Sequence, residues 1–335
     1  MNEQSMQSIP LSTRIRLARN LREYPFPARL SLEEKQQVNE TVRAALLDGD
    51  DAKGYRYIEM KDLSATEAVS LAEKHLISPE FASNADGRAL ILSDDETVSI
   101  MLCEEDHVRI QVIEPGLSLS KAWEKANALD EKLAARLPVA FDEKLGYLTQ
   151  CPTNLGTALR ASVMLHLPAL SHAGLMPRLS STIAKLGLTL RGTFGEGSKI
   201  VGELYQLSNQ VTLGISEQAA IQNLDAIARQ IMEQEESARE TLRQDNVFID
   251  RIYRAWGVLG SAYMLSCSEC TDLLSLVRLG AALGILDLPL DTLTKLLTVI
   301  QPATLSVSQG RDLPAAQRDV LRAQKVKEAL QSARG

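Results

Sequence analysis

Three short apolar runs in the first third of the chain limit its possible folds more than any other feature. Residues 90–92, 98–102 and 108–112 have the aliphatic and β-branched composition of strands. The acidic stretches 94–96 and 104–106 lie between them and suit turns. A parallel pair needs a crossover of a dozen or more residues, so these strands must run antiparallel.

Helical patterns stand on both sides of this predicted sheet. Polar residues lead amphipathic patterns at residues 31–47 and 64–76, and a third pattern, 119–137, ends before Pro138. Further strands are indicated at residues 158–167, 189–193 and 199–208. This part of the chain is therefore predicted to be an α+β domain.

The pattern changes at Ser216, a good N-cap, because almost everything that follows has helical spacing. Pro289 and Pro302 indicate breaks between helices. We place a domain boundary near residue 243, which gives an α+β domain at residues 1–243 and an all-helical domain at residues 244–335.

Composition excludes several classes of protein. The chain of 335 residues has 36 Lys and Arg against 43 Asp and Glu, and this net charge of −7 argues against a general nucleic-acid binder. Arg278 and Asp287 interrupt the longest apolar stretch, so no membrane span is expected. The first residues lack the basic and apolar regions of a secretory signal. We therefore expect a cytoplasmic protein.

Four cysteines, Cys103, Cys151, Cys267 and Cys270, have spacings that indicate free thiols rather than a disulfide framework. Cys267 and Cys270 form a single C-x-x-C, which supplies only half of a tetrahedral zinc site. We interpret them as two thiols on a helical segment and expect no metal site in the chain itself.

Arginines stand where an anion would satisfy them. Arg14 and Arg16 share one face of an extended segment and can grip a polyphosphate, because guanidinium groups make bidentate contacts with phosphate oxygens. Arg160 opens an apolar strand, an awkward place for a charge that has no partner. The alternative is that Arg14 and Arg16 are solvated surface residues.

Carboxylates and a thiol supply the other candidates. Glu104, Glu105 and Asp106 lie at the mouth of a turn, where acidic residues are usually just solvated. The glycine-rich stretch 191–199 fits neither the Walker A spacing nor G-x-G-x-x-G, so we interpret it as a mobile loop that brings Glu196 onto a substrate. Cys151 leads a Pro/Asn/Gly turn, and a buried inert thiol is the ordinary interpretation.

Together these pieces resemble the phosphagen (guanidino) kinase superfamily and, within it, the McsB-type protein-arginine kinases. The resemblance covers nearly the whole chain. Its ordered motifs are S-T-R-I-R-L-A-R-N at residues 12–20, E-K-H-L-I-S at 73–78, E-E-D-H-V-R-I at 104–110, C-P-T-N-L-G-T-A-L-R-A-S-V at 151–163 and R-G-T-F-G-E at 191–196.

The resemblance implies ATP with Mg²⁺, a catalytic domain with an antiparallel sheet flanked by helices, and roles for particular residues. Glu105 and Glu196 would hold the acceptor guanidinium, with Glu105 as the base or the two roles exchanged, and Cys151 would sit beside it. Residues implied to bind the nucleotide are Ser12, Thr13, Arg14, Ile15, Arg16, His75, Arg109, Arg160, Ala161, Ser162, Val163, Met164, Arg191, Gly192, Thr193, Phe194, Gly195 and Glu196.

Two departures from the metabolite kinases of the superfamily bear on the substrate. Those enzymes carry a helical domain ahead of the S-x-R-x-R motif, whereas 11 residues precede Ser12 here, so we expect an open site that admits an arginine attached to a protein. The helical extension resembles the McsB C-terminal domain. Its motif R-D-x-x-R-A implies a phosphoarginine site at Arg318, Asp319, Arg322 and Ala323; the alternative is an ion-paired surface helix.

The family also implies a setting. Its members mark proteins for Clp proteolysis under stress, autophosphorylate, work with a zinc-binding activator and form dimers. Two other functions remain open at this point. A kinase of a free guanidino metabolite such as arginine would turn over the free compound, and a catalytically inactive phosphoarginine-binding adaptor would have a degenerate site.

Overall fold

The predicted antiparallel strands belong to a larger sheet in the computed structural model, which describes residues 3–192 and 201–333. The strands are β1 (Pro10–Arg19), β2 (Tyr55–Glu59), β3 (Ala89–Ser93), β4 (Val98–Leu102), β5 (Val108–Pro115), β6 (Phe141–Asp142), β7 (Gly146–Tyr147), β8 (Leu159–His166), β9 (Leu188–Gly192) and β10 (Leu204–Asn209). Eight of them form one sheet in the order β2-β3-β4-β5-β1-β8-β10-β9, and β6 pairs with β7.

Register in the centre of this sheet places polar side chains in rows. The ladders β2–β3, β3–β4, β4–β5 and β5–β1 are all antiparallel. The β3–β4 and β4–β5 ladders confirm the prediction from the short acidic turns. Ser99 on β4 lies directly opposite Gln111 on β5, and Gln111 lies directly opposite Arg16 on β1. Directly opposed residues project to the same face of a sheet, so these three form one row.

Helices follow the predicted patterns. They are α1 (Glu3–Gln7), α2 (Leu32–Leu46), α3 (Ala65–Glu73), α4 (Pro79–Ala82), α5 (Leu119–Arg136), α6 (Pro168–His172), α7 (Met176–Lys185), α8 (Glu217–Leu242), α9 (Asn246–Ser261), α10 (Cys267–Ala282), α11 (Leu290–Val299), α12 (Pro302–Ser308) and α13 (Ala315–Ser332). Helices α2 and α3 begin with capping boxes, Ser31 with Glu34 and Ser64 with Glu67. Each box satisfies backbone N–H groups that a helix start leaves without partners.

The chain divides into two compact units. One consists of residues 12–162 and 208–225, and the other of residues 1–11, 163–207 and 226–335. An apolar cluster of the first unit is formed by Met60, Ala68, Leu76, Ile77, Phe81, Leu90, Leu92 and Met101. Burial of these side chains fixes α3 and α4 against β3 and β4.

The second unit combines an apolar helical core with buried ions. Core side chains include Phe248, Ile252, Leu274, Val277, Leu296 and Val326. Arg239 is fully buried and donates to Glu235 at 3.0 Å. Burial and the nearby arginines hold the pKa of His166 well below its usual range, so its neutral ring accepts from Arg278 at 2.9 Å. Arg239 and Arg278 therefore both have hydrogen-bond partners, as burial of a charge requires.

Several local features differ from the sequence prediction. Helix α3 ends at Glu73 rather than near residue 76, because His75 has a left-handed backbone (φ 61°) that a helix cannot contain. Strand β10 begins at Leu204, later than predicted. The short helices α1, α4, α6 and α7 were not predicted; in α4, α6 and α7 a proline stands in the first turn, where its fixed φ suits a helix start.

The four cysteines are free thiols, as predicted. Cys267 and Cys270 lie in the first turn of α10, and burial raises the pKa of Cys270 to about 12. Within residues 3–192 and 201–333, no cluster of His, Cys, Asp or Glu side chains could hold a metal ion. Across the same residues, no helix has the length and hydrophobicity needed to cross a bilayer.

Candidate active site

Four arginines converge on one face of the sheet, within the unit that contains residues 12–162. Arg14 and Arg16 alternate along β1 with the buried Thr13, Ile15 and Leu17, so both project to one side, as the sequence predicted. Because Gln111 is opposite Arg16, Arg109, two residues away on β5, projects to that side as well.

The charges of neighbouring guanidinium groups affect the pKa values of Arg14 and Arg16. Burial, together with the charges of Arg160 and Arg109, lowers the pKa of Arg14 to about 10. Burial and the charges of Arg14, Arg160 and Arg109 lower the pKa of Arg16. With a pKa of about 10, Arg14 remains cationic near neutral pH. In the described part of the chain, Nε of Arg16 is buried and has no hydrogen-bond partner, so it is a donor that a bound anion would satisfy.

His75 lies at the edge of this arginine cluster. Burial, with a smaller effect from Arg14, lowers the pKa of His75 to about 4, so its ring is neutral at physiological pH. A neutral imidazole beside a cationic cluster can contact an uncharged ring without adding to the charge repulsion.

The acidic turn between β4 and β5 is not simply solvated. Asp106 is fully buried and accepts from Nδ2 of Asn20 at 2.7 Å and from the N–H of Gln150 at 2.9 Å. Glu104 is almost fully buried and contacts both Arg109 and the Ser78 hydroxyl. Two of the three carboxylates therefore hold the turn and its arginine in place.

Glu105 is the carboxylate that remains available. Its side chain is 37% exposed, and one oxygen lies 3.1 Å from Nη2 of Arg109. Burial raises the pKa of Glu105, although the neighbouring Arg109 opposes that effect. Glu105 and Arg109 also line a polar cavity of about 580 Å³ with Glu104, Cys103 and Gln150. A carboxylate with a raised pKa in an open cavity is suited to accept a proton.

Cys151 follows Gln150, a residue of the cavity wall, in the chain. Its half-buried thiol lies 3.0 Å from the hydroxyl of Thr153. The Thr153 hydroxyl is therefore positioned to hydrogen-bond the sulfur.

Strained backbone accompanies the site residues. Among the described residues, five non-glycine residues have left-handed backbones. Three of them lie at the site: His75 itself, Cys103 (φ 59°), which precedes Glu104, and Ala158 (φ 49°), which lies two residues before Arg160. Such conformations cost free energy and persist where surrounding contacts impose them. Their positions indicate that the fold places these side chains at some cost in stability.

Other residues implied by the resemblance are placed differently. Thr13, Ile15, Ala161 and Val163 are buried, and alternation puts Thr13 and Ile15 on the side opposite the arginine cluster. Val163, Met164, Arg191 and Gly192 belong to the second compact unit. Thr193, Phe194, Gly195 and Glu196 lie outside the described residues.

The motif at the start of α13 is partly internal. Arg322 is 1% exposed and donates to the carbonyls of Leu265 at 2.7 Å and Ile300 at 2.8 Å, and to Asp319 at 2.5 Å. Arg318 donates to a nearby carbonyl, and Asp319 is partly exposed. The alternative of a simple ion-paired surface helix is wrong for Arg322, which is buried.

Comparison with known proteins decides the family. Residues 37–238 match the family model for the ATP:guanido phosphotransferase C-terminal catalytic domain. Residues 245–335 match the model for the protein-arginine kinase McsB C-terminal domain. The chain belongs to the McsB-type protein-arginine kinases. Its fold class, an α+β guanidino kinase domain followed by a helical region, is thereby confirmed.

Relatives of the same family match along almost their whole length. A protein-arginine kinase from Caldanaerobacter subterraneus subsp. tengcongensis is 45% identical over 97% of this chain and 97% of its own. One from Halothermothrix orenii is 46% identical over 97% and 93%. One from Clostridium kluyveri is 47% identical over 96% and 94%.

Solved guanidino kinases share the fold of this McsB-type chain. A crystal structure of lombricine kinase matches with a TM-score of 0.60 and 26% identity, covering 70% of this chain and 68% of that one. The substrate-free duplicated taurocyamine kinase of Schistosoma mansoni also gives a TM-score of 0.60 and 26% identity, covering 70% and 34%.

Replacement of one arginine of the cluster should affect the stability of the free protein and its affinity for anions in opposite directions. Arg16→Met should raise the urea midpoint of the free protein, since burial and like charges oppose Arg16 there. The same change should weaken tripolyphosphate binding, measured by calorimetry, by about tenfold or more, because hydrogen bonds to charged groups contribute about 1.5–3 kcal/mol.

Arg56→Met is the matched control, because Arg56 is exposed and pairs only loosely with Asp94 at 3.6 Å. It should leave tripolyphosphate affinity unchanged. Undiminished affinity in Arg16→Met would contradict the assignment of an anion site.

Proposed function

We propose that this chain transfers the γ-phosphoryl group of ATP to arginine side chains of proteins. The observation that carries the proposal is the placement of a cationic cluster, Arg14, Arg16, Arg109 and Arg160, beside the available carboxylate Glu105. Phosphoryl transfer asks a protein mainly for alignment and for neutralisation of charge. This arrangement offers both.

The nucleotide side of the site belongs to the arginine cluster. Fixed guanidinium groups on β1, β5 and β8 would bind the phosphate oxygens, and neutral His75 would contact the nucleotide. We place Arg191 in the same role. Mg²⁺ would enter with the nucleotide and supply further charge neutralisation, because substrate phosphates, carboxylates and waters together hold this ion in kinase sites.

The acceptor side belongs to Glu105, with Glu196 as the second carboxylate that holds the guanidinium. An arginine nitrogen is a poor nucleophile while the group is protonated, because the pKa of the guanidinium exceeds about 12. As the nitrogen–phosphorus bond forms and the bond to the leaving ADP oxygen breaks, one proton moves from the nitrogen to Glu105. Cys151 would stand beside the acceptor, and its chemical role stays a prediction.

Protein acceptors are favoured over a free guanidino metabolite by the similarity to protein-arginine kinases along nearly the full chain. The polar cavity next to Glu105 is also larger than one guanidinium requires. An inactive adaptor is disfavoured, because Arg14, Arg16, Arg109, Arg160 and Glu105 are all in place.

The C-terminal region would sense the product. We propose a division at residue 243, with residues 244–335 forming a helical phosphoarginine-binding domain. Arg318 and Asp319 would contact phosphoarginine, while buried Arg322, next to Ala323, holds Asp319 in position. The family setting completes the proposal: a cytoplasmic homodimer that marks proteins for Clp proteolysis under stress and works with a zinc-binding activator.

Glu105→Gln should lower the rate of phosphoryl transfer by about a hundredfold or more, because a general base typically contributes 10²–10⁴. ATP affinity should change little. In the wild-type protein the rate should fall as pH drops through the Glu105 pKa, which burial raises, so the acid limb should lie above the ordinary glutamate pKa of about 4.3.

Glu96→Gln serves as the control, since Glu96 lies on the β3–β4 turn and pairs with Lys74 at 2.9 Å. An unchanged rate in Glu105→Gln, or an acid limb at or below the ordinary value, would refute the role of Glu105 as the base.

The acceptor class is tested by incubating the protein with Mg-ATP and either an unfolded protein or free arginine. Mass spectrometry under mild conditions should find acid-labile phosphate on protein arginines. Phosphate on free arginine alone would identify a metabolite kinase, and binding of phosphoarginine without any transfer would identify an adaptor.

Asp319→Ala should weaken the binding of a phosphoarginine peptide by about tenfold or more, because it removes a charged partner of the guanidinium. Calorimetry measures this directly. Asp250→Ala is the control, because Asp250 forms an exposed ion pair with Arg254 on α9. Equal affinity in Asp319→Ala would exclude the proposed sensor site.

A further inference from the structure

Gln111 is a buried polar residue between the aliphatic Ile110 and Val112 on β5 and is 2% exposed. It was not among the residues that the sequence singled out, although a glutamine between two aliphatic residues of a predicted strand is itself a signal. A buried amide must find partners for its N–H groups, or its desolvation destabilises the fold.

The hydrogen-bond partners of Gln111 are backbone carbonyls of residues 75 and 76, which form the corner of the chain directly after α3. Its Nε2 donates to the carbonyl of His75 at 2.9 Å and to the carbonyl of Leu76 at 2.9 Å. The Ser99 hydroxyl lies 3.2 Å from the same nitrogen and also donates to the Leu76 carbonyl. Two side chains that face each other across β4 and β5 therefore hold two consecutive carbonyls.

This corner needs such support. His75 has a left-handed backbone (φ 61°), which is unfavourable for a residue with a side chain. Hydrogen bonds from the His75 and Leu76 N–H groups return to the end of α3, at Ala72 and Leu71. The two carbonyls point the other way, toward the sheet, where Gln111 receives them.

The pairing of β1 with β5 places Gln111, which holds the corner, next to the arginine cluster. Gln111 lies opposite Arg16 on β1 and two residues from Arg109 on β5. One buried amide thus lies in the same row as a phosphate-binding candidate and holds the nucleotide-contact candidate by its backbone.

We propose that Gln111 is a positioning residue for ATP, which sets the place of His75 relative to Arg16 and Arg109. The inference rests on the proposed function, because it takes His75 as a nucleotide contact. Gln111 itself touches no substrate; it acts through the backbone of His75.

A double-mutant cycle tests this role. Gln111→Met keeps the approximate size of the side chain and removes both donors. ATP affinity of the full chain, measured by calorimetry, should fall about tenfold in Gln111→Met and about tenfold in His75→Ala. The double variant should also show a loss of about tenfold rather than a hundredfold, because Gln111 acts only through His75. The KM of the arginine-containing substrate should stay unchanged.

Two further variants separate positioning from general destabilisation. Ser99→Ala, which leaves both Gln111 hydrogen bonds to the corner in place, should fold and show a smaller loss of ATP affinity. Gln324→Met, an exposed change on α13 that removes a hydrogen bond to Glu328, should show none.

The outcomes are distinct. Additive losses in the double variant, or unchanged ATP affinity in Gln111→Met, would overturn the positioning role. Normal ATP binding without phosphoryl transfer by the wild-type protein would overturn the proposed function. The double-mutant cycle would still test the positioning role, because it measures ATP affinity alone. Failure of the wild-type protein to bind ATP would overturn both.

Discussion

Repulsion among four neighbouring guanidinium groups is the constraint on which the rest of this structure depends. Burial lowers the pKa values of Arg14 and Arg16, and the charges of Arg109 and Arg160 lower them further. A flexible loop would let such charges separate. Here three strands of one sheet hold them, and the free energy that repulsion costs is recovered when an anion binds. A site of this kind is thus less stable empty than filled.

Buried arginines elsewhere in the chain show the opposite arrangement. Arg239 forms an ion pair with Glu235 at 3.0 Å, and Arg19 forms one with Asp130 at 2.6 Å. Arg322 donates hydrogen bonds to Asp319 and to two backbone carbonyls. Each of these groups has its charge or its donors satisfied within the protein, which makes its role structural. Arg16 differs, because its buried Nε has no partner in the described residues. Unsatisfied hydrogen-bond donors, rather than burial alone, distinguish Arg16 from Arg239, Arg19 and Arg322.

Much of the fold could be predicted because its signals are local. Short acidic turns indicated antiparallel strands, and serine caps marked the starts of α2 and α3. Tertiary contacts decided what the sequence could not show. Three adjacent carboxylates have different roles because Asp106 meets Asn20 and Glu104 meets Ser78, which leaves Glu105 available. The burial of Arg322 likewise follows from carbonyls of Leu265 and Ile300, distant in sequence.

The hairpin formed by β4 and β5 carries both halves of the proposed reaction. Glu105, on the acceptor side, and Arg109, on the phosphate side, are four residues apart and in contact at 3.1 Å. Asp106 anchors the turn between them through two hydrogen bonds. The spacing between acceptor and donor is consequently a property of a single tight connection. A movement elsewhere in the chain would therefore leave the distance between Glu105 and Arg109 unchanged.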